Sequence, residues 1–137
     1  MIKKVCSLNA LKRIIADDPV RPGISAEDRI GPARDVFHWN NKAYICMAYL
    51  DVIPPTEKSL LTIECGPIAV AYTIWSLEKG RGRDLILAVR DMISESFRFE
   101  RLVTLSPKTD MAMKFHLSNG AILVHENETT NNFEYKI

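Results

Sequence analysis

Apolar positions along this 137-residue chain switch between two periods, and the switches predict its elements. Residues 1–5 read as a short strand, after which Leu8, Leu11, Ile14 and Ile15 recur at helical spacing until Asp18-Pro19 ends the run. Residues 19–35 carry three prolines and two glycines and read as an irregular connection with one short helix begun at Ser25. A loop of that length in a compact domain usually carries function. Residues 36–39 and 43–50 read as antiparallel strands joined at Asn40-Asn41, because asparagine tolerates the positive φ of a tight turn. Pro54-Pro55 ends the second strand, and residues 56–61 suit a single helical turn. Residues 68–75 (IAVAYTIW) are almost continuously apolar and rich in β-formers, as in a strand covered on both faces. Leu85, Ala88, Val89, Met92 and Ile93 then mark one face of a helix that ends near Phe97. Residues 101–106 form a short strand, and Pro107 opens a helix carrying Met111, Ala112, Phe115 and His116, which Gly120 stops. Residues 121–125 are a further strand. The polar NETTNN turn leads from it to Phe133, Tyr135 and Ile137, which alternate as an edge or half-buried strand does.

Chemistry concentrates at the junction between the long apolar strand and its helix. Residues 76–90 (SLEKGRGRDLILAVR) place Gly80 and Gly82, with Lys79, Arg81 and Arg83 around them, at a helix N-terminus. Backbone N–H groups there lack intrahelical partners and sit at the positive end of the helix dipole, and glycine lets them approach an anion such as a pyrophosphate. A solvated basic turn would have the same composition. The spacing excludes two other phosphate loops. No Ser or Thr follows a lysine as in a P-loop, and Leu85 occupies the third glycine's place of a dinucleotide fingerprint.

Composition narrows the picture. With 47% hydrophobic residues, residues 1–137 make one domain able to bury a core without staples. A net charge of +1 without a long basic run argues against general affinity for nucleic acid or an anionic membrane. Lys79, Arg81, Arg83 and Arg90 remain as a local patch for a nucleic-acid-contacting module, a low-ranked reading. No apolar segment approaches about 20 residues and no leader is evident, so a soluble, cytoplasmic protein is expected. Cys6, Cys46 and Cys65 lack metal-ligand spacing and suit small buried hydrophobes in a reducing compartment, and no metal is expected.

The glycine loop resembles the acetyl-CoA loop of the GCN5-related N-acetyltransferase (GNAT) family, [QR]-x-x-G-x-[GA] followed by a helix. Leu77 stands at the Gln/Arg position, Gly80 and Gly82 at the two glycine positions, and Arg83-Asp84-Leu85-Ile86 opens the helix. A second motif agrees. Residues 109–121 (TDMAMKFHLSNGA) follow the family's N-x-x-A-x-x-[LF]-Y-x-x-x-G-[FA] at Ala112, Phe115 and Gly120. Thr109 replaces the Asn that often contacts the cofactor, and His116 replaces the Tyr that protonates the departing CoA thiolate. The resemblance spans residues 36–137.

It implies an α/β fold with a mixed, mostly antiparallel sheet flanked by helices and splayed between its fourth and fifth strands. The implied activity is N-acetyl transfer from acetyl-CoA, as cosubstrate, directly to an amine of a small molecule or protein. Ile74, Trp75, Leu77, Lys79, Gly80, Arg81, Gly82, Arg83 and Thr109 would hold acetyl-CoA. A backbone N–H of the fourth strand would hold the oxyanion, and residues 19–35 would wall the acceptor site. Glu64 is the implied base, with Asp51 and His38 as weaker candidates. A charged His116, at a reference pKa of about 6.5 against about 8.5 for a thiol, would hand its proton to the leaving sulfur; an uncharged structural histidine is the alternative. The departures at Leu77 and His116 also look similar to degenerate acetyltransferase-like proteins of T7-type podophages, some of them virion-associated. On that reading the fold is a scaffold in host cytoplasm or virion, with a second copy or a virion protein as partner.

Overall fold

The two strands joined at Asn40-Asn41 pair as expected. The computed structural model, which describes residues 1–137, forms β2 (Arg34–Trp39) and β3 (Ala43–Leu50) into a hairpin in which Asn40 and Asn41 take φ of 49° and 56°. β1 (Ile2–Lys4) adds antiparallel to β2, and β4 (Ile68–Ser76) adds antiparallel to β3. β3 is buried along its whole length, because both of its faces are covered. One face meets α1 (Leu8–Ile14), the loop after it and the short α2 (Ser59–Thr62), through Leu11, Ile24, Ala26 and Leu60. The other meets α3 (Arg81–Glu95) through Leu85, Ile86, Val89 and Ile93, the helical stripe expected from the sequence. The short helix expected from Ser25 is a single 3-10 turn, Glu27–Arg29.

β5 (Arg101–Thr104) lies parallel to β4, pairing Arg101 with Ile68 through to Thr104 with Ala71. There the two strands part. Leu105 makes a last bond from its N–H to the Ala71 carbonyl, 2.9 Å, and the chain then swings away as β6 (Ser106–Pro107). Thr109 caps α4 (Asp110–Ser118), and β7 (Ile122–Glu126) and β8 (Thr130–Tyr135) close the fold as a hairpin. The strand order is β1-β2-β3-β4-β5-β8-β6, with β7 paired to β8.

Two local devices make the fork. First, the β3–β4 register shifts between Cys46 and Met47, so Tyr72 is an extra residue on β4. Such a bulge reverses the alternation of side chains. Ile68, Val70 and Tyr72 face α1, but so does Trp75, whereas Ala69, Ala71 and Ile74 face α3. Second, β5 and β6 share one register with β8, Val103 opposite Glu134 and Ser106 opposite Asn131, and the ladder is broken between them. There the Asn132 side-chain amide donates to the Thr104 carbonyl at 2.8 Å, and the Phe133 N–H donates to the Thr104 hydroxyl at 3.1 Å.

The C-terminal strand departs from expectation. β8 is no edge: it is buried between β5/β6 and β7, and the exposed edge is β7. Thr130 and Asn132, read as turn residues, are strand residues whose side chains donate to the carbonyls of Pro55 (2.6 Å) and Pro54 (3.0 Å). Their polarity is satisfied inside the fold, which a periodicity argument does not register.

Candidate functional site

Where β4 and β5 part, a cleft of about 380 Å³ opens between the strands and α4. It joins a second, shallower groove of about 490 Å³ around the glycine loop, and Ser76, Gly82 and Phe115 belong to both walls. The two grooves thus adjoin, one at the loop at the N-terminus of α3 and the other at the fork.

At the loop end, Gly80 is the residue preceding α3 and holds φ 85°, ψ −15°, a left-handed conformation that a side chain disfavours. Gly82, inside the first turn, needs no special dihedral but space: a Cβ there would lie 3.5 Å from Phe115 and 3.7 Å from Ser76. Leu77, Lys79 and Arg83 stand exposed around this groove. Arg83 is steadied by donating to the Asn119 side-chain oxygen at 2.9 Å, and Arg81 pairs with Asp84 at 3.2 Å. Ile74 and Trp75 line the fork, Trp75 stacked on Tyr44 with ring centroids 5.3 Å apart. Thr109 lines it too, while its hydroxyl accepts from the Ala112 N–H at 3.1 Å as the cap of α4.

His116 reaches the cleft from α4 but is not the charged acid considered from sequence. It is buried among Phe115, Phe133 and Tyr135, and burial lowers its pKa to about 4. Its Nδ1 lies 2.7 Å from the Tyr135 hydroxyl. An imidazole with that pKa is neutral at pH 7 and cannot protonate a thiolate as an imidazolium. The sign for stability follows directly. The native state holds the neutral form, so its contribution is complete above about pH 6.5, the unfolded value, and is lost as pH falls towards 4. The loss amounts to about 3 kcal/mol. NMR titration of His116 should show a neutral ring from pH 8 to 5, and His116→Phe should unfold with a shallower acid limb between pH 6.5 and 4; a ring titrating near 6.5 would contradict both.

Glu64 is corrected by its position. It sits exposed in the turn before β4, where its carbonyl accepts from the Asp51 N–H, and takes no part in the cleft wall. A strand rises about 3.3 Å per residue, which puts Ile74 about 20 Å along β4 from Ile68. The fork opens at Ala71, about 10 Å along the strand, and its wall runs on from there to Ser76. Asp51 shares the exposed turn, and His38 is on β2, its Nδ1 accepting from the Asn41 N–H at 3.0 Å. No Asp, Glu, Lys or Arg side chain lines the cleft, and neutral His116 is its one titratable imidazole.

The loop after α1 does wall the fork, through Pro19 and Val20. Its anchor was not legible in sequence. Buried Asp18 accepts from the N–H groups of Val20 (2.7 Å) and Arg21 (3.2 Å), from the Thr73 hydroxyl on the bulge (3.1 Å), and from buried Arg29 (2.6 Å). Arg21 spans the fork itself, donating to the Tyr72 carbonyl on β4 (3.2 Å) and to the Leu105 carbonyl on the departing strand (3.0 Å), with Glu57 on its third nitrogen at 3.2 Å. An arginine between a valine and a proline in an aperiodic loop carries no spacing signal; three backbone-distant acceptors define it.

The mixed, mostly antiparallel sheet flanked by helices, with its β4–β5 fork, is the GNAT fold. The chain is similar to malonyl-CoA decarboxylase from Agrobacterium vitis (TM-score 0.80, 16% identity, 100% of this chain and 60% of that one). It is similar also to NAA60 of Arabidopsis thaliana, solved in complex with acetyl-CoA (TM-score 0.70, 13% identity, 98% and 97%), and to the GNAT domain of S. lividans PAT (TM-score 0.68, 12% identity, 99% and 89%). The chain thus spans about three-fifths of the decarboxylase and nine-tenths or so of the other two chains. No protein-family model and no curated protein sequence matches it. No helix is long and apolar enough to cross a membrane.

Proposed function

We propose that this chain is an acyl-CoA-dependent acyltransferase that passes an acyl group, acetyl in the simplest case, directly to an amine. The observation that carries this reading is the pair of adjoining grooves, one at the Gly80–Gly82 loop and one at the fork, that share Ser76, Gly82 and Phe115. The loop's N–H groups with Lys79 and Arg83 suit a pyrophosphate, the wall of Ile74, Ala112 and Phe115 suits a pantetheine arm, and the fork suits the thioester; Arg81, paired with Asp84, lines neither groove. Beyond Ala71, β4 has no strand on its β5 side, so its N–H groups are available to hold the oxyanion as the amine nitrogen attacks the carbonyl carbon. The carbon–sulfur bond then breaks, and the proton shed by the nitrogen goes to the sulfur. With Tyr135 donating to Nδ1, His116 would keep its proton on Nε2 and support the sulfur by hydrogen bonding rather than by proton transfer. Without a carboxylate in the cleft, the amine enters in its neutral form.

The test is thermal melting with acetyl-CoA, free CoA and ATP. A ligand at a hundredfold excess over its Kd should add about 2.7 kcal/mol of stability, a rise of several degrees with the CoA species and not with ATP. Equal response to ATP, or none to CoA, would reject the reading.

A second reading keeps the fold without the chemistry, as a partner-binding scaffold of the kind podophages associate with their virions. Exposed Leu77 at the Gln/Arg position and a cleft without a carboxylate, lysine or arginine in its wall favour it. Absence of any CoA response, together with a stable folded protein, is its expected signature.

A further inference from the structure

The cleft is built for something larger and more apolar than an acetyl group. Past the thioester position assigned above, its wall includes Val20, Tyr72, Leu105 and Pro107 beside Ser106 and Thr109, and no Asp, Glu, Lys or Arg side chain lines it. Ordinarily the gap between two diverging strands would open through the sheet. Here the Arg21 guanidinium fills it, bonded to Tyr72 on one arm and Leu105 on the other, so the inner end is blind. The same bonds spend the nearest positive charge: the two carbonyls and Glu57 take all three guanidinium nitrogens. Asp18 and the bulge residue Thr73 hold the Pro19–Val20 wall in place, so the end is preformed rather than closed on demand.

We infer that the cleft selects a short linear aliphatic acyl-CoA, of butyryl to hexanoyl length, over acetyl-CoA and over acyl groups that end in a carboxylate. This rests on the acyl-CoA reading and names its substrate class. Each methylene taken from water into an apolar wall tightens binding about three- to fourfold. A terminal carboxylate, as in malonyl-CoA, would be buried in a cleft whose wall holds no Lys or Arg side chain, the guanidinium of Arg21 being paired with Glu57 and bonded to the two strand carbonyls, which is unfavourable. The blind end makes the gain finite: chains that outgrow the cleft must stop improving.

The experiment is calorimetric titration of the wild-type protein with free CoA, acetyl-, butyryl-, hexanoyl-, dodecanoyl- and malonyl-CoA. Affinity is expected to rise at least about tenfold from acetyl- to hexanoyl-CoA, to gain nothing further at dodecanoyl-CoA, and to be no better for malonyl-CoA than for free CoA. Val20→Phe, which adds bulk to the blind end, should lower hexanoyl-CoA affinity more than acetyl-CoA affinity. Equal affinity across acetyl, butyryl and hexanoyl, or malonyl-CoA binding as tightly as hexanoyl-CoA, overturns the inference while leaving an acyl-CoA site. No binding by any of the six overturns both.

Discussion

Leucine at Gly82 together with valine at Gly80 is expected to reduce acetyl-CoA affinity at least about a hundredfold, the cost of roughly 2.7 kcal/mol or more, while leaving the protein folded. The two positions fail for different reasons. At Gly82 the backbone is ordinary helix, and a Cβ makes normal contacts with Phe115 at 3.5 Å and Ser76 at 3.7 Å. A methyl group fits there. A leucine branch has Phe115 on one side and Ser76 on the other, so it must project into the space where the two grooves adjoin. At Gly80 nothing lies within 4 Å of an added Cβ, but φ of 85° strains a β-branched residue by about 1–3 kcal/mol, and relief of that strain moves the N–H groups of the loop. Calorimetry on Gly82→Ala, Gly82→Leu and the double variant, with circular dichroism as the folding control, should give a graded loss. Unchanged affinity in a folded double variant would remove the loop from ligand binding altogether.

Asp18→Ala is expected to cost about 3–5 kcal/mol, a large part of the roughly 5–15 kcal/mol that holds a domain together, and to lower the melting temperature by more than about 10 °C. Asp18 and Arg29 have side chains that are 0% exposed and an ion-pair distance of 2.6 Å. Removing the carboxylate leaves a buried guanidinium with only neutral acceptors, the carbonyls of Arg21 and Ile24 and the Cys46 sulfur. It also frees the two loop N–H groups and the Thr73 hydroxyl that Asp18 accepts from. Asp18→Asn keeps an oxygen for those donors but not the charge, so its loss should be intermediate. Replacing both partners by leucine and methionine should restore part of the stability, never all of it, because the cap on residues 20–21 is gone. A melting temperature within about 3 °C of wild type for Asp18→Ala would mean that this network is solvated rather than buried.

How much of this was legible follows from the kind of signal each residue carries. The hairpin at Asn40-Asn41, the apolar β4 and the stripe on α3 were legible because burial repeats with the period of the element. Gly80 was legible because its dihedral demands glycine, and Gly82 by its spacing from Gly80, although a Cβ there would make only ordinary contacts. His116 was placed in the cleft by its spacing from Ala112 and Phe115, but its protonation depends on Phe133 and Tyr135, which arrive from another strand. Glu64 shows the opposite failure: it precedes β4 in sequence, and a strand carries the chemistry to its other end.

The sequence by itself determined the elements, their order and the position of the phosphate-type loop, because propensity, periodicity and glycine chemistry are local. Only the tertiary structure decided where the sheet forks, what closes the fork and which groups are charged inside it. The bulge at Tyr72, the Asn132 amide at the break between β5 and β6, Arg21 across the gap and the Asp18–Arg29 pair each join residues far apart in the chain. Their energies come from burial and from unmet hydrogen bonds, quantities that exist only once the distant segments have met.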